Sequence, residues 1–129
     1  MSYNISIQEK QGYIRVEVSG ERTSGQEAKA AIDLWMRLAE VCNDKGVFRV
    51  LAIYNLSGDL PTIAAFEIGS SLVKNDLIRK MKVALVDLNE KSRENNLFAE
   101  TVAVNRAYSR DSGRVFDDEK KAIEWLLGQ

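Results

Sequence analysis

The chain has 129 residues, 45% of them hydrophobic and 29% charged, and its 18 basic and 19 acidic residues leave a formal charge of -1. This length predicts one domain spanning residues 1–129, and the charge balance argues against nucleic acid, which is bound through clustered Lys and Arg. Because the chain has no histidine and one cysteine, Cys42, Ser–His and Cys–His nucleophiles, His-ligated or Cys-rich metal sites and an intrachain disulfide are excluded.

The chain opens with two segments of alternating polarity. Residues 3–8 and 13–18 each place their apolar side chains on one face, which is typical of half-buried strands. Gly12 lies in the short connection and suits a hairpin. From Thr23 to Cys42 the apolar residues recur at spacings of three and four, which predicts a helix, with Thr23 and Ser24 as candidate N-caps.

Two apolar runs follow, residues 47–54 and 80–88, and both read as central strands covered on each side. Residues 60–75 between them and residues 92–108 after them have helical periodicity. The sequence closes with a short strand, residues 113–116, and a helix over residues 117–128. Asp117 is the predicted cap of that helix.

The predicted order is β-β-α-β-α-β-α-β-α. Right-handed crossovers between the later strands give an α/β fold: a mostly parallel mixed sheet with an N-terminal antiparallel hairpin and about four helices. The first twelve residues lack a basic segment followed by an apolar core, and no apolar run approaches the length of about 20 residues that spans a bilayer. We therefore expect a cytoplasmic protein without a secretory signal.

Neither common phosphate-binding glycine motif occurs in the sequence. We predict no catalytic residues, no cofactor and no metal, and hence a protein that is not an enzyme. A hydrolase built on paired carboxylates remains a third hypothesis, although no spacing singles out a pair.

The most site-like feature is the stretch YNLSGDLPT at residues 54–62. It places Ser57 and Gly58 between a central strand and a helix, and ligands of parallel sheets gather at such strand ends. A phosphate there would be favoured by the N-terminus of the helix. The alternative is a structural turn, in which Asp59 caps the helix and Pro61 occupies its first turn.

This arrangement resembles the STAS fold of anti-sigma factor antagonists, and the whole chain is similar to the SpoIIAA-like branch, which is related in fold to CRAL-TRIO lipid-binding domains. The resemblance rests on the opening hairpin, the strand VFRVLAIY, the turn Asn55-Leu56-Ser57-Gly58 and the closing RVFDDEKKAIEWLLG. It implies a STAS-like single domain whose role is regulatory protein–protein interaction, with a protein partner and a homodimer as expected assemblies.

In anti-sigma factor antagonists, an Asp-x-Ser-Gly turn carries a serine whose phosphorylation blocks docking. The resemblance therefore implies a phosphoacceptor turn at Asn55, Ser57, Gly58 and Asp59. Ser57 and Gly58 match the motif, whereas Asn55 replaces the acidic residue and Asp59 adds a charge that opposes a phosphate.

The relation to lipid carriers implies an alternative function, in which the domain binds a small apolar ligand or makes peripheral contact with a membrane. The candidate walls of an apolar cleft lie on the two middle helices: Phe66, Leu72, Leu97, Phe98 and Val102. The competing interpretation is that these periodic residues are ordinary core.

Overall fold

The computed structural model describes residues 3–105 and 113–128, and for residues 99–105 it describes the backbone alone. The strands are β1 (Asn4–Lys10), β2 (Tyr13–Glu21), β3 (Arg49–Ser57), β4 (Lys82–Asp87) and β5 (Gly113–Phe116). The helices are α1 (Glu27–Lys45), α2 (Thr62–Leu72), α3 (Asp76–Lys80), α4 (Glu90–Asn105) and α5 (Glu119–Leu126).

The strands of the described residues form one mixed sheet in the order β1-β2-β3-β4-β5. Strands β1 and β2 are antiparallel, and the pairs β2–β3, β3–β4 and β4–β5 are parallel. Gly12 turns the hairpin with a φ of 87°, a left-handed conformation that favours glycine. The predicted α/β class, the opening hairpin and the mostly parallel sheet are confirmed.

One face of the sheet packs against α1 through large side chains. Alternate residues of β2 and β3, including Val16 and Val50, meet Leu38 and Trp35 of the helix in one buried cluster. Trp35 and Tyr54 form an aromatic pair with ring centroids 6.3 Å apart. Burial of this kind contributes about 1.5–3 kcal/mol per large side chain, so this cluster dominates the stability of the fold.

The opposite face of the sheet is covered by α5. Leu51 and Val86 point to that side and pack against Leu126. Arg15 of β2 holds the start of α5 through an ion pair with Glu119, whose Oε2 lies 3.0 Å from the Arg15 Nε.

Helix α2 packs through a different kind of side chain. Its buried residues include Ala64, Ala65 and Ile68, and they meet Ala28 and Ala31 of α1 in a cluster of their own. Short side chains bury less apolar area than the Leu and Trp residues of α1. The contact of α2 with α1 is therefore made of smaller side chains than the contact of α1 with the sheet.

The predicted helix over residues 60–75 corresponds to α2, and a second short helix, α3, follows it that was not predicted. The Asn75 side chain starts the second one by accepting a hydrogen bond from the Ile78 N–H at 3.0 Å. The cap predictions for the first and last helices were wrong. Gln26 precedes α1 without a side-chain cap, and Asp118, not Asp117, caps α5 by accepting from the Lys120 N–H.

Candidate functional site

Strands β2, β3 and β4 run in parallel, so their carboxyl ends meet at one edge of the sheet. The segments that leave these ends begin at Arg22, Gly58 and Leu88. Open α/β sheets place their ligands at this edge. We call it the carboxyl edge.

Ser57 lies at the carboxyl edge as the last residue of β3. The sequence predicted that β3 would end at residue 54, but Asn55, Leu56 and Ser57 continue the ladder opposite Ser19, Gly20 and Glu21. The strand is longer because β2 also extends beyond its predicted end and supplies the pairing groups. Ser57 is exposed, and its hydroxyl donates to the Gly20 carbonyl at 3.3 Å, a long bond that is easily exchanged for water.

Gly58 makes the sharp exit from β3. Its φ is 89°, and a Cβ at this position would lie 3.2 Å from the Arg22 Cβ and 3.3 Å from the Arg22 carbonyl oxygen. Arg22 also holds the turn, because its backbone N–H donates to the Ser57 carbonyl at 2.9 Å and its Nη1 donates to the Gly58 carbonyl at 3.1 Å. Position 58 therefore favours glycine for two reasons, its left-handed backbone conformation and the close approach of Arg22.

Asn55 and Asp59 are exposed on either side of this turn. The alternative prediction that Asp59 caps the following helix was wrong. Helix α2 starts after Pro61, which occupies the N-cap position without a side-chain cap. Leu60 is buried against α2, and helical backbone begins only after it, at Thr62. Pro61 therefore occupies the N-cap position.

A narrow cleft opens behind the turn, between α1, α2 and the sheet. Its volume is about 20 Å³, and its polar walls are Tyr3, Arg22, Glu27 and Asn96. Arg22 is only 8% exposed, and among the described side chains it forms no salt bridge. A buried guanidinium without an ionic partner is unusual in a protein interior.

Two tyrosines border the same cleft. Burial raises the pKa of Tyr54, and a hydrogen bond with Trp35 and the charge of Arg22 offset part of that rise. Burial also raises the pKa of Tyr3, against the opposing charge of Arg22. Both phenols therefore stay neutral and keep a donor and an acceptor for the cleft at neutral pH.

Asp87 ends β4 in full burial, with 0% of its surface exposed. Its Oδ2 accepts from the Ser92 hydroxyl at 2.8 Å and from the Asn96 amide at 2.7 Å, and its Oδ1 accepts from the Asn89 N–H at 3.0 Å. These donors satisfy the carboxylate and fix the start of α4. Asn89 in turn reaches β3, because its side-chain amide donates to the Leu56 carbonyl at 3.2 Å.

Large apolar side chains are exposed around the carboxyl edge. Ile63, in the first turn of α2, is 75% exposed, and Leu88, directly after β4, is 54% exposed. The Leu88 N–H donates to the Tyr54 carbonyl at 3.0 Å, which holds Leu88 beside the end of β3.

The residues predicted to wall an apolar cleft lie in different surroundings. Phe66, Leu97 and Phe98 are exposed by about two fifths, at 42%, 41% and 38%. Leu72 is half-buried and packs against both the α1 cluster and the α2 cluster. The side chain of Val102, in α4, lies outside the described residues.

Within residues 3–105 and 113–128, no group of three or more Cys, Asp or Glu side chains is placed to hold a metal ion. No helix in this part of the chain is long and apolar enough to cross a membrane. Cys42 is buried in the α1 cluster, and burial raises the pKa of its thiol to about 11. A thiol with such a pKa is a poor nucleophile at neutral pH.

Arg22, Tyr54 and Asp87 were not predicted as site residues. Arg22 and Asp87 stand at strand ends, where a charged residue normally marks the passage to solvent. Tyr54 was assigned to a buried strand without a role. The signal that could have found them is the parallel topology itself, because it brings residues that end neighbouring strands to one edge.

Comparison with solved structures shows a likeness at the level of the fold. No family model matches the chain, and no curated protein matches it. The chain is similar to the crystal structure of an uncharacterized protein of the DUF3478 family with a SpoIIAA-like fold from Shewanella loihica PV-4. The two are 19% identical with a TM-score of 0.49, over 97% of this chain and 94% of the other. That structure's fold has the name that the sequence resemblance predicts, and the sheet described above assigns this chain to the α/β class independently.

Proposed function

We propose that this domain is a non-enzymatic regulatory module that binds a protein partner at the carboxyl edge, and that phosphorylation of Ser57 controls the contact. The observation that carries the proposal is an exposed serine at the end of β3, together with the two most exposed large hydrophobic side chains described, Ile63 and Leu88, in the segments that follow β3 and β4. We call the exposed residues Asn55, Ser57, Asp59, Ile63 and Leu88 the edge surface.

The edge surface has the features of the centre of a protein interface. Exposed apolar side chains lose contact with water when a partner covers them, and this drives association. Ser57 would be enclosed with them, and its long hydrogen bond to Gly20 leaves the hydroxyl accessible to a kinase.

A phosphate on Ser57 would add negative charge next to two acidic positions, Glu21 across the ladder and Asp59 two residues on. The Arg22 guanidinium is directed to the Gly58 carbonyl on the cleft side, whereas Glu21 is the strand partner of Ser57. Adding negative charge among apolar contacts and beside Glu21 and Asp59 costs desolvation and repulsion. Phosphorylation therefore weakens partner binding in this proposal.

The test is site-specific photocrosslinking in the cells that make the protein. A photoreactive phenylalanine replaces Ile63 in one variant and Lys10, an exposed residue in the β1–β2 hairpin at the other end of the sheet, in the control. We expect a discrete adduct from position 63 that is absent from position 10. Ser57→Asp should lower its yield at least several-fold, and Ser57→Ala should leave it unchanged.

Equal adducts from both positions, or an adduct that Ser57→Asp leaves intact, would contradict the proposal. An adduct of twice the mass of the chain would identify the occupant as a second copy of this protein. That result would show that the edge surface forms a homodimer and does not bind a separate regulatory partner.

A second candidate function is the binding of a small apolar ligand. The cleft between α1, α2 and the sheet supports it, because Leu56, Leu60 and Ile68 form apolar walls in addition to the polar ones. This site is separate from the edge surface, so the two functions can be tested independently.

A further inference from the structure

The buried guanidinium of Arg22 has more hydrogen-bonding capacity than the protein uses. A guanidinium carries five N–H donors, and among the described residues its side chain makes one hydrogen bond, from Nη1 to the Gly58 carbonyl. The side chain borders the cleft and is more than nine tenths buried. Because Arg22 lines the cleft, its remaining donors are available to an anion that enters there.

The walls of the cleft are of two kinds. Tyr3 and Arg22 supply donors, and Leu56, Leu60 and Ile68 are apolar. A ligand that matches both kinds of wall has a charged head and an apolar body.

The local charges favour a head with a single negative charge. Glu27 also borders the cleft, and its Oε1 accepts from the Gly25 N–H at 2.9 Å. Its carboxylate would oppose a second negative charge on the ligand. The other nearby carboxylate, Asp87, is already satisfied by Asn89, Ser92 and Asn96.

We infer that Arg22 recognises the carboxylate of a small amphipathic monocarboxylic acid, whose apolar body lies against Leu56, Leu60 and Ile68. This inference rests on the second candidate function and names its ligand class. In the present structure the cleft has a volume of about 20 Å³, enough for about one water molecule. The ligand's body requires α2 to move outward, and the contact of α2 with α1 includes the small side chains Ala28, Ala31, Ala64 and Ala65.

The cleft has a built-in reporter for binding experiments. Trp35 lines it, whereas Trp125, the second of the two tryptophans in the chain, packs against Phe116 on the other face of the sheet. In a Trp125→Phe background, the fluorescence of Trp35 therefore reports on the cleft alone. The probes are decanoate and 1-decanol at matched concentrations below micelle formation, which share an apolar chain and differ in the charged head.

We expect decanoate to bind at least about tenfold more tightly than 1-decanol, because a charge-assisted hydrogen bond is stronger than a neutral one. Arg22→Gln should remove that difference. Arg37→Gln, on an exposed position of α1, is the matched control and should bind decanoate like the parent protein. Circular dichroism verifies that each variant is folded.

Arg22→Gln also removes the hydrogen bond to the Gly58 carbonyl, which could prevent the variant from folding. Two further variants keep the test decisive in that case. Arg22→Lys retains the charge without the planar fork and should bind decanoate several-fold more weakly than the parent. Tyr3→Phe removes a donor from the polar walls of the cleft and leaves the turn untouched. It should also weaken decanoate binding, with 1-decanol unaffected.

The two probes separate failure of this inference from failure of the second candidate function. Equal affinities for decanoate and 1-decanol, or full decanoate binding by the Arg22 variants, would overturn carboxylate recognition and leave apolar-ligand binding intact. Binding of neither probe to the parent protein would overturn both.

Discussion

Helices α1 and α2 are neighbours in the structure but are attached to it in different ways. Leu38 of α1 is 1% exposed within a cluster that spans β2 and β3, whereas α2 buries alanines and leaves Ile63 75% exposed. Large interlocking side chains on α1 stabilise the fold, and small ones on α2 do so less. The difference teaches that α1 carries the larger core side chains, whereas α2 supplies one residue of the edge surface, Ile63, and one wall of the cleft, Ile68.

The largest expected effect comes from deleting a core side chain of α1. Leu38→Ala should lower the free energy of unfolding by about 2–5 kcal/mol, because it leaves a cavity under the helix. Ile63→Ala, the matched change on α2, should alter it by less than about 0.5 kcal/mol. Urea denaturation of both variants measures the contrast. Equal losses would show that the two helices contribute equally.

Asp87 joins β4 to α4 and directly precedes Leu88 of the edge surface. Asp87→Asn places an amide among the donors of Asn89, Ser92 and Asn96, and we expect a loss of about 2–3 kcal/mol. Asp59→Asn removes a charge from an exposed position and serves as the control. If both variants unfold at the urea concentration of the parent, the buried network has no energetic role.

The Ser57-Gly58 turn can be tested with a pair of glycines that share one backbone conformation. Gly58 and Gly25 have φ values of 89° and 86°, but only Gly58 meets neighbouring atoms, those of Arg22, within 4 Å of an added Cβ. Alanine at either position adds about 1–2 kcal/mol of backbone strain. Gly58→Ala should be the more destabilising of the two in thermal denaturation, and equal effects would remove the steric role of Arg22.

Alkaline pH should reveal the burial of Tyr54. Above its ordinary pKa of 10.0, the unfolded chain loses the phenolic proton while the folded chain keeps it, because burial raises the pKa in the folded state. The stability that is present below pH 10 is therefore lost as the pH rises, by about 1.4 kcal/mol per pH unit. Tyr54→Phe should show a shallower decline between pH 10 and 11.

The parent protein is the control for that comparison, since Tyr3 and Cys42 also have raised pKa values and are present in both proteins. Their contributions cancel in the difference between the two slopes. Identical slopes would contradict the burial of Tyr54.

The sequence predicts elements well where local periodicity decides them. Alternation identified β1 and β2, and the three-and-four spacing identified α1, because burial on one face governs both patterns. It failed where distant groups decide. The last residues of β3 are strand because β2 pairs with them.

The candidate site was only partly predictable for the same reason. Ser57 and Gly58 stand out in a linear reading, because a serine–glycine pair after an apolar run has few structural explanations. The roles of Arg22 and Asp87 in the candidate site could be recognised only by knowing which strand ends are neighbours in the sheet. Arg22 follows β2 as surface charges commonly do, and the apolar run 80–88 around Asp87 does not show which groups satisfy its carboxylate.

Native-state hydrogen exchange tests the contrast between the two helices most directly. Amide exchange is followed for α1 and α2 at increasing, sub-denaturing urea concentrations. We predict that the buried amides of α1 exchange only through global unfolding, whereas those of α2 open at a lower free energy and with a weaker dependence on urea. Exchange of both helices at one free energy and with one urea dependence would contradict the contrast between α1 and α2.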